Sequence, residues 1–261
     1  MPDLTVTLVQ TNLVWEDSAA NLSRLDAQLS GVAGGTDLIV LPEMFATGFS
    51  MNPAPIAQRM DGPAVGWMSG LAERRNAAVT GSLIIAEDGK YYNRLIWATP
   101  EGDIAAYDKR HRFRMAGEHD VYAAGNALLT VAWRGWRIRP FVCYDLRFPL
   151  WTRNLGNAYD LAIFVANWPE RRSTHWRQLL IARAIENLSY VVGVNRVGTD
   201  GNGHPYSGDS AVIAPDGEVL FEKRFDACVH TALLSRDRLE TYREAFPAWM
   251  DADEDMLRPP E

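Results

Sequence analysis

The sequence predicts an α/β fold in which two β-sheets pack together and helices cover their outer faces. Three observations predict it. Short apolar runs at Asp37–Leu41 and Leu161–Val165 have the character of strands buried on both faces. Helical periods interrupt them at residues 18–30, 64–75 and 173–188. Hairpin turns at Asp88-Gly89, Pro100–Gly102, Arg134-Gly135 and Pro215–Gly217 join the other strands. The pattern is neither a clean βαβ alternation nor all-β.

In chain order, residues 4–9 alternate and form a first strand. Leu22, Leu25 and Leu29 set a helical period over 18–30, which Gly31 stops. The run 37–41 is a buried strand, and a helix at 64–75 follows Gly62-Pro63. Strands at 78–86, 91–98 and 103–107 succeed one another through hairpin turns. A further hairpin pairs 127–133 with 136–142, and 149–156 is a short helix. After the strand at 161–165, Trp176, Leu179, Leu180, Ala184 and Asn187 share one face of a helix at 173–188, with Ser173 as its expected N-cap. Strands at 190–195, 209–224 (a hairpin) and 227–234 precede a last helix at 235–244.

No Ser/Gly/Pro linker, tandem repeat or low-complexity tract divides the 261 residues, so residues 1–261 read as a single domain. An acidic extension starts at about 247 and contains Asp251-Ala252-Asp253-Glu254-Asp255. It reads as a surface segment. Lys and Arg number 26 against 33 Asp and Glu, a net charge of −7, which argues against a broad nucleic-acid or anionic-membrane footprint. No apolar run approaches the ~20 residues of a membrane span, and the N-terminus lacks the basic start and apolar stretch of a signal peptide. Two cysteines, Cys143 and Cys228, cannot build a disulfide framework and fit a reducing compartment. The expected location is therefore cytoplasmic. The five histidines show no metal-ligand spacing, and no phosphate-binding glycine loop or G-x-S-x-G elbow is present. No metal is expected.

Three runs place a reactive group where a strand ends. Glu43 follows Val40-Leu41-Pro42, at the rim of a core where desolvation raises a carboxyl toward working pH. Alone, it reads better as an exposed loop glutamate. Lys109 lies in the basic run Tyr107–Arg114 after the strand at 103–107. It either sits in a solvated loop or points into a cleft to stabilise an oxyanion. Cys143 ends the strand Phe141-Val142 before a turn, the placement of a nucleophile whose following backbone N–H is free to bind an oxyanion. A nearby cation and a helix N-terminus would lower its thiol pKa. The competing reading is a buried structural cysteine, for which Cys228 inside the last strand is the example.

Taken together, Leu41-Pro42-Glu43, Tyr107-x-Lys109-x-His111 and Cys143-Tyr144-Asp145-x-Arg147-Phe148-Pro149 resemble the three signatures of the nitrilase (carbon–nitrogen hydrolase) superfamily. The order and the spacings, 66 and 34 residues, also match its smaller members. Ala166–Pro169, Arg183–Asn187, Gly208–Ser210 and Pro215–Glu218 extend the resemblance over nearly the whole chain. It implies a four-layer α-β-β-α sandwich, a Glu43-Lys109-Cys143 triad, no cofactor and a homodimer. Glu118 matches a second glutamate often found beside the triad, with an orienting role toward Lys109 or substrate. The backbone N–H of Tyr144 is the implied oxyanion donor. The stretches 109–115 and 195–203 look most like the bacterial omega-amidase branch, which hydrolyses the terminal amide of small carboxylate-bearing substrates such as 2-oxoglutaramate. Such a substrate needs a cation, and Arg112, Arg114, Arg147, Arg171 and Arg172 are the candidates. Phe45, Tyr144 and Trp168 are candidate pocket walls, with core packing the competing role. Another substrate with the same triad (an N-carbamoyl compound, an aliphatic amide or a nitrile) and a non-catalytic relative are the alternatives.

Overall fold

The structure is a computed structural model and describes residues 2–31 and 35–253. The first half of the chain gives β1 (Leu4–Gln10), α1 (Ser18–Ser30), β2 (Leu38–Val40), α2 (Pro63–Arg75), β3 (Ala78–Glu87), β4 (Lys90–Ala98) and β5 (Ile104–Asp108). The second gives α3 (Glu118–Val121), β6 (Val131–Trp133), β7 (Trp136–Val142), α4 (Pro149–Thr152), β8 (Leu161–Ala166), α5 (Ser173–Asn187), β9 (Tyr190–Asn195), β10 (Val197–Thr199), β11 (Pro205–Ile213) and β12 (Val219–Arg224). Then β13 (Cys228–Leu234) returns to pair antiparallel with β1, and α6 (Arg236–Ala245) follows.

One sheet has the order β13-β1-β2-β3-β4-β5, the other β10-β11-β9-β8-β7-β6, with β12 also on β11. Each has a parallel centre, β1-β2-β3 and β7-β8-β9, flanked by antiparallel strands. Side chains on a strand alternate between faces, and the first sheet uses this fully. Leu4, Val6, Leu8, Leu38, Val40, Leu95 and Trp97 face the second sheet and share a core with Phe141, Ile163 and Val192. Their neighbours Val9, Ile39, Ile96 and Ala98 face outward and are covered by Leu25 and Leu29 of α1 and by Val65, Met68 and Leu71 of α2. On the other side Trp176, Leu180 and Ala184 of α5 cover the second sheet. The result is the four-layer α-β-β-α sandwich. Gly193 of β9 allows the close approach of α5, because a Cβ there would come within 2.4 Å of Leu180.

Several elements differ in detail from the expectation. Ser173 is the first residue of α5 and not its cap; a 3-10 turn at Glu170–Arg172 runs into the helix and Arg172 takes the cap position. The helix expected over 149–156 stops at Thr152. There the Asn154 side chain bonds the backbone N–H and carbonyl of Tyr159, at 3.0 and 2.9 Å, and competes with helical continuation. The strand expected at 127–133 forms only at Val131–Trp133, and β10 and α3 are additional. Cys228 opens β13 half-buried, not deep in the core. Of the acidic run, residues up to Asp253 are described, and Glu254 and Asp255 lie outside the described residues.

Candidate active site

The two parallel centres deliver the site. Ligand sites in open α/β sheets lie beyond the carboxyl ends of parallel strands. Glu43 stands beyond β2, Cys143 beyond β7 and Asn167 beyond β8. Lys109 stands beyond β5, which runs in the same direction as β3 because two antiparallel steps separate them. Glu43 is followed by Met44 in the left-handed region at φ 43°, and Cys143 itself has φ 44°. Such a φ is costly for a residue with a side chain, and here it turns the thiol out of the sheet. A 3-10 turn, Cys143–Arg147, follows at once, so the Tyr144 N–H sits in a first turn whose donors lack an intrahelical acceptor.

At the floor, Lys109 Nζ donates to Glu43 Oε1 and to both Glu118 oxygens, each at 2.9 Å. The Asn93 amide donates to Glu43 Oε1 at 2.7 Å and to Glu118 Oε1 at 3.2 Å. The Asn167 N–H donates to Glu43 Oε2 at 2.7 Å, while its side-chain amide holds the Glu43 carbonyl. The Phe113 N–H donates to Glu118 Oε2. The Cys143 Sγ lies 4.0 Å from the Asn167 carbonyl oxygen. Glu43 and Glu118 are 0% exposed, Lys109 1% and Cys143 9%. Asn93 and Asn167 were not identified from the sequence as site residues. The available signal for Asn93 was an amide, next to Arg94, directly before the apolar run Leu95–Ala98 of its strand.

Burial alone would depress the Lys109 ammonium, but the Glu118 and Glu43 carboxylates more than reverse this and keep it charged well past neutrality. Burial pushes Glu118 above the usual carboxylate range against the pull of Lys109. The Cys143 thiol is raised, not lowered as expected, first by burial and then by the Glu43 charge. Lys109 opposes this, but its single charge is already shared between two carboxylates. The group at rest is a neutral thiol beside a base.

Above the floor opens a cavity of about 580 Å³, lined in part by Trp15, Phe49, Cys143, Tyr144, Arg147, Trp168, Arg171, Arg172 and Tyr206. Of the residues expected as substrate contacts, Tyr144, Arg147 and Trp168 line this cavity. The Arg147 guanidinium lies 4.6 Å from the Trp168 ring centre and that of Arg172 lies 5.1 Å from Phe113. Burial lowers the Arg172 pKa, and the charges of Arg171 and Arg147 add to the effect. Among the described residues none of these three arginines has a carboxylate partner. Three other expectations fail. Phe45 is fully buried in the outer core against Trp67, and Phe49 takes the wall, 5.2 Å from Lys109 Nζ. Arg112 is spent on the carbonyls of His119 and Tyr122 and does not line the cavity. Arg114 is exposed and does not line it, although its neighbours Phe113 and Met115 do.

A strand-end Glu, Lys and Cys on one buried floor, in this topology, agrees with the family comparison: the Carbon-nitrogen hydrolase family matches residues 5–244. The chain belongs to the carbon–nitrogen hydrolase family. This carbon–nitrogen hydrolase is 54% identical to the Omega-amidase YafV of Escherichia coli over 255 residues, 97% of this chain and 98% of the other. It is 48% identical to the Omega-amidase YafV of Yersinia enterocolitica over 258 residues, 98% and 100% of the two chains. A CN-hydrolase superfamily protein from Xanthomonas campestris, solved with an arsenic adduct in its active site, matches with a TM-score of 0.95 and 48% identity over 97% of this chain and 98% of that one. Among the described residues no helix of this carbon–nitrogen hydrolase is long and apolar enough to cross a membrane.

Proposed function

We propose that this carbon–nitrogen hydrolase is an omega-amidase, cleaving the terminal amide of a short carboxylate-bearing substrate such as 2-oxoglutaramate to 2-oxoglutarate and ammonia. The observation that carries this reading is the cavity itself: a thiol and its base at the floor, and three arginines without carboxylate partners on the wall. An arginine binds a carboxylate through two parallel N–H donors, and three of them left without a protein anion suit an anionic substrate end. The names of the relatives support the same substrate class.

In the mechanism, the Cys143 thiol gives its proton to Glu43 as sulfur attacks the amide carbon. Glu43 Oε2 takes it, since Oε1 already faces Lys109 and Asn93. The carbonyl π electrons move to oxygen, and the oxyanion is held by Lys109 Nζ and the Tyr144 N–H. One such donor is worth about 10²–10³ in rate. Collapse breaks the C–N bond, Glu43 returns the proton to nitrogen, and ammonia leaves a thioester. Glu43 then deprotonates water, hydroxide adds to the thioester, and collapse expels sulfur, which recovers its proton from Glu43. Glu118 holds Lys109 in place throughout.

The test is ammonia release from 2-oxoglutaramate and succinamate beside neutral amides, N-carbamoyl compounds and nitriles of similar length. Turnover restricted to the half-amides, and absent in Cys143→Ala, is the expected result. Equal turnover of neutral amides would remove the omega-amidase reading, and turnover by Cys143→Ala would remove the nucleophile. The same reading carries a single-domain homodimer acting in the cytoplasm, with sedimentation velocity as the check on assembly.

A further inference from the structure

The mechanism draws its two oxyanion donors from different sheets. Lys109 follows β5 of the first, and Tyr144 follows β7 of the second. Something has to hold these two strand ends in a fixed relation. Lys109 is fastened on its own side by Glu43 and Glu118, and neither carboxylate belongs to the Cys143 turn.

Asp145 connects the two. Its carboxylate is 0% exposed and accepts four hydrogen bonds. Oδ1 takes the His111 N–H at 2.9 Å and the His111 imidazole Nδ1 at 2.8 Å. Oδ2 takes the Tyr107 hydroxyl at 2.7 Å and the Val142 N–H at 3.1 Å. Tyr107 and His111 stand two residues on either side of Lys109, and Val142 immediately precedes Cys143. Among the described residues, every hydrogen bond between segments 107–112 and 141–148 ends on Asp145. The donors are themselves fixed. The Tyr107 oxygen accepts from Trp151 Nε1 at 2.9 Å, and the His111 ring stacks on Phe148 at 3.7 Å. The Val142 contact also closes the backbone around Cys143, whose left-handed φ needs outside support.

We propose that Asp145 is a positioning residue that locks the Cys143–Tyr144 turn against Lys109, so that donors from two sheets converge on one oxyanion. It touches no reacting atom. A misplacement of about 1 Å costs on the order of 10² in rate, so the loss of this link falls on kcat. Two of the three wall arginines, Arg171 and Arg172, stand on a separate turn, Glu170–Arg172, so KM changes less than kcat. The proposal rests on the amidase reading given above.

Asp145→Asn tests it in the full chain, because the amide keeps one acceptor oxygen but puts an NH2 donor where the other pair of donors converges. The rate is expressed per competent site, with competent sites counted by mass spectrometry of iodoacetamide-labelled Cys143. The expected result is a fall of ~10²-fold in kcat per site, with KM for the half-amide within about threefold. Tyr107→Phe, which removes one of the four donors, is expected to lower kcat about 3–10-fold at the same KM, and it decides the matter if Asp145→Asn does not fold. Unchanged kcat per site in the folded variants overturns the proposal. So does a loss that lies wholly in the number of competent sites or equally in KM, since each marks a merely structural role. If the wild type ignores half-amides but cleaves another amide, the omega-amidase reading fails and the same comparison is made with that amide.

Discussion

Replacing Lys109 by methionine removes a cation that lies 2.9 Å from three oxygens of two fully buried carboxylates. Deleting one partner of a buried pair costs about 3–5 kcal/mol, because the remaining charge keeps its desolvation penalty. In a chain of this size each 1 kcal/mol shifts Tm by about 2–4 °C, so Lys109→Met is expected to melt roughly 6–20 °C lower at pH 8. The sign of the pH dependence follows from the shifts. In the wild type the Lys109 pKa is raised, so its stabilisation is present through neutrality and is lost only on the alkaline side of its ordinary value. In the variant Glu118, already raised by burial, loses the opposing pull of Lys109, and the penalty falls as acid protonates it. The Tm deficit therefore shrinks between pH 8 and pH 5. Adding Glu118→Gln recovers part of the Tm without recovering activity. The loss of the oxyanion donor alone lowers kcat about 10²–10³-fold. Calorimetry across pH and an ammonia assay read both effects. A Tm deficit that widens on acidification, or a kcat within about tenfold of wild type, refutes the reasoning.

Substituting Arg147, Arg171 or Arg172 by Gln is expected to raise KM for a half-amide by about tenfold or more at whichever position grips the carboxylate, and to change kcat less. Steady-state kinetics on the half-amide checks this. Because burial and Glu43 hold the Cys143 thiol up, its alkylation by iodoacetamide rises into the alkaline range. Glu43→Gln moves that profile to lower pH while turnover collapses, a pairing that stopped-flow labelling and the ammonia assay together detect. Gly193→Ala drives a Cβ to 2.4 Å from Leu180 and is expected to cost about 1–3 kcal/mol in denaturant melts, with kcat little changed.

Glu43, Lys109 and Cys143 were legible because each follows an apolar strand and carries flanking residues that resemble a known signature. What could not be read was how the turns after them point. Met44 adopts a left-handed φ, and Phe45 ends up in the outer core while Phe49 takes the wall. Arg112 and Arg171 look alike as basic loop residues, yet only Arg112 meets carbonyls, at His119 and Tyr122, that absorb it. The thiol pKa was misread for a related reason. A neighbouring lysine lowers a thiol only if its charge is free, and the two carboxylates that share Lys109 come from segments 66 residues before it and nine after. Asn93 is one amide in a strand, and its burial between two carboxylates is set by sheet pairing that no local pattern encodes.

The raised thiol is consistent with efficient attack once charge is followed through the reaction. The floor carries two carboxylates and one ammonium, a formal charge of −1. A thiolate formed there by losing its proton to solvent would bring a second net negative charge into a buried site. Transfer to Glu43 adds none: one anion disappears as the oxyanion appears, and the floor stays at −1. The same transfer weakens the hold of Glu43 Oε1 on Lys109, which frees an N–H donor at the moment the oxyanion needs one. Hydrolysis then breaks the balance, because the product leaves its new carboxylate against this negative floor. A neutral amide enters such a site readily and a carboxylate does not stay in it. On the omega-amidase reading proposed above, the arginine wall and the carboxylate floor would orient the substrate on entry and favour release of the dicarboxylate afterwards.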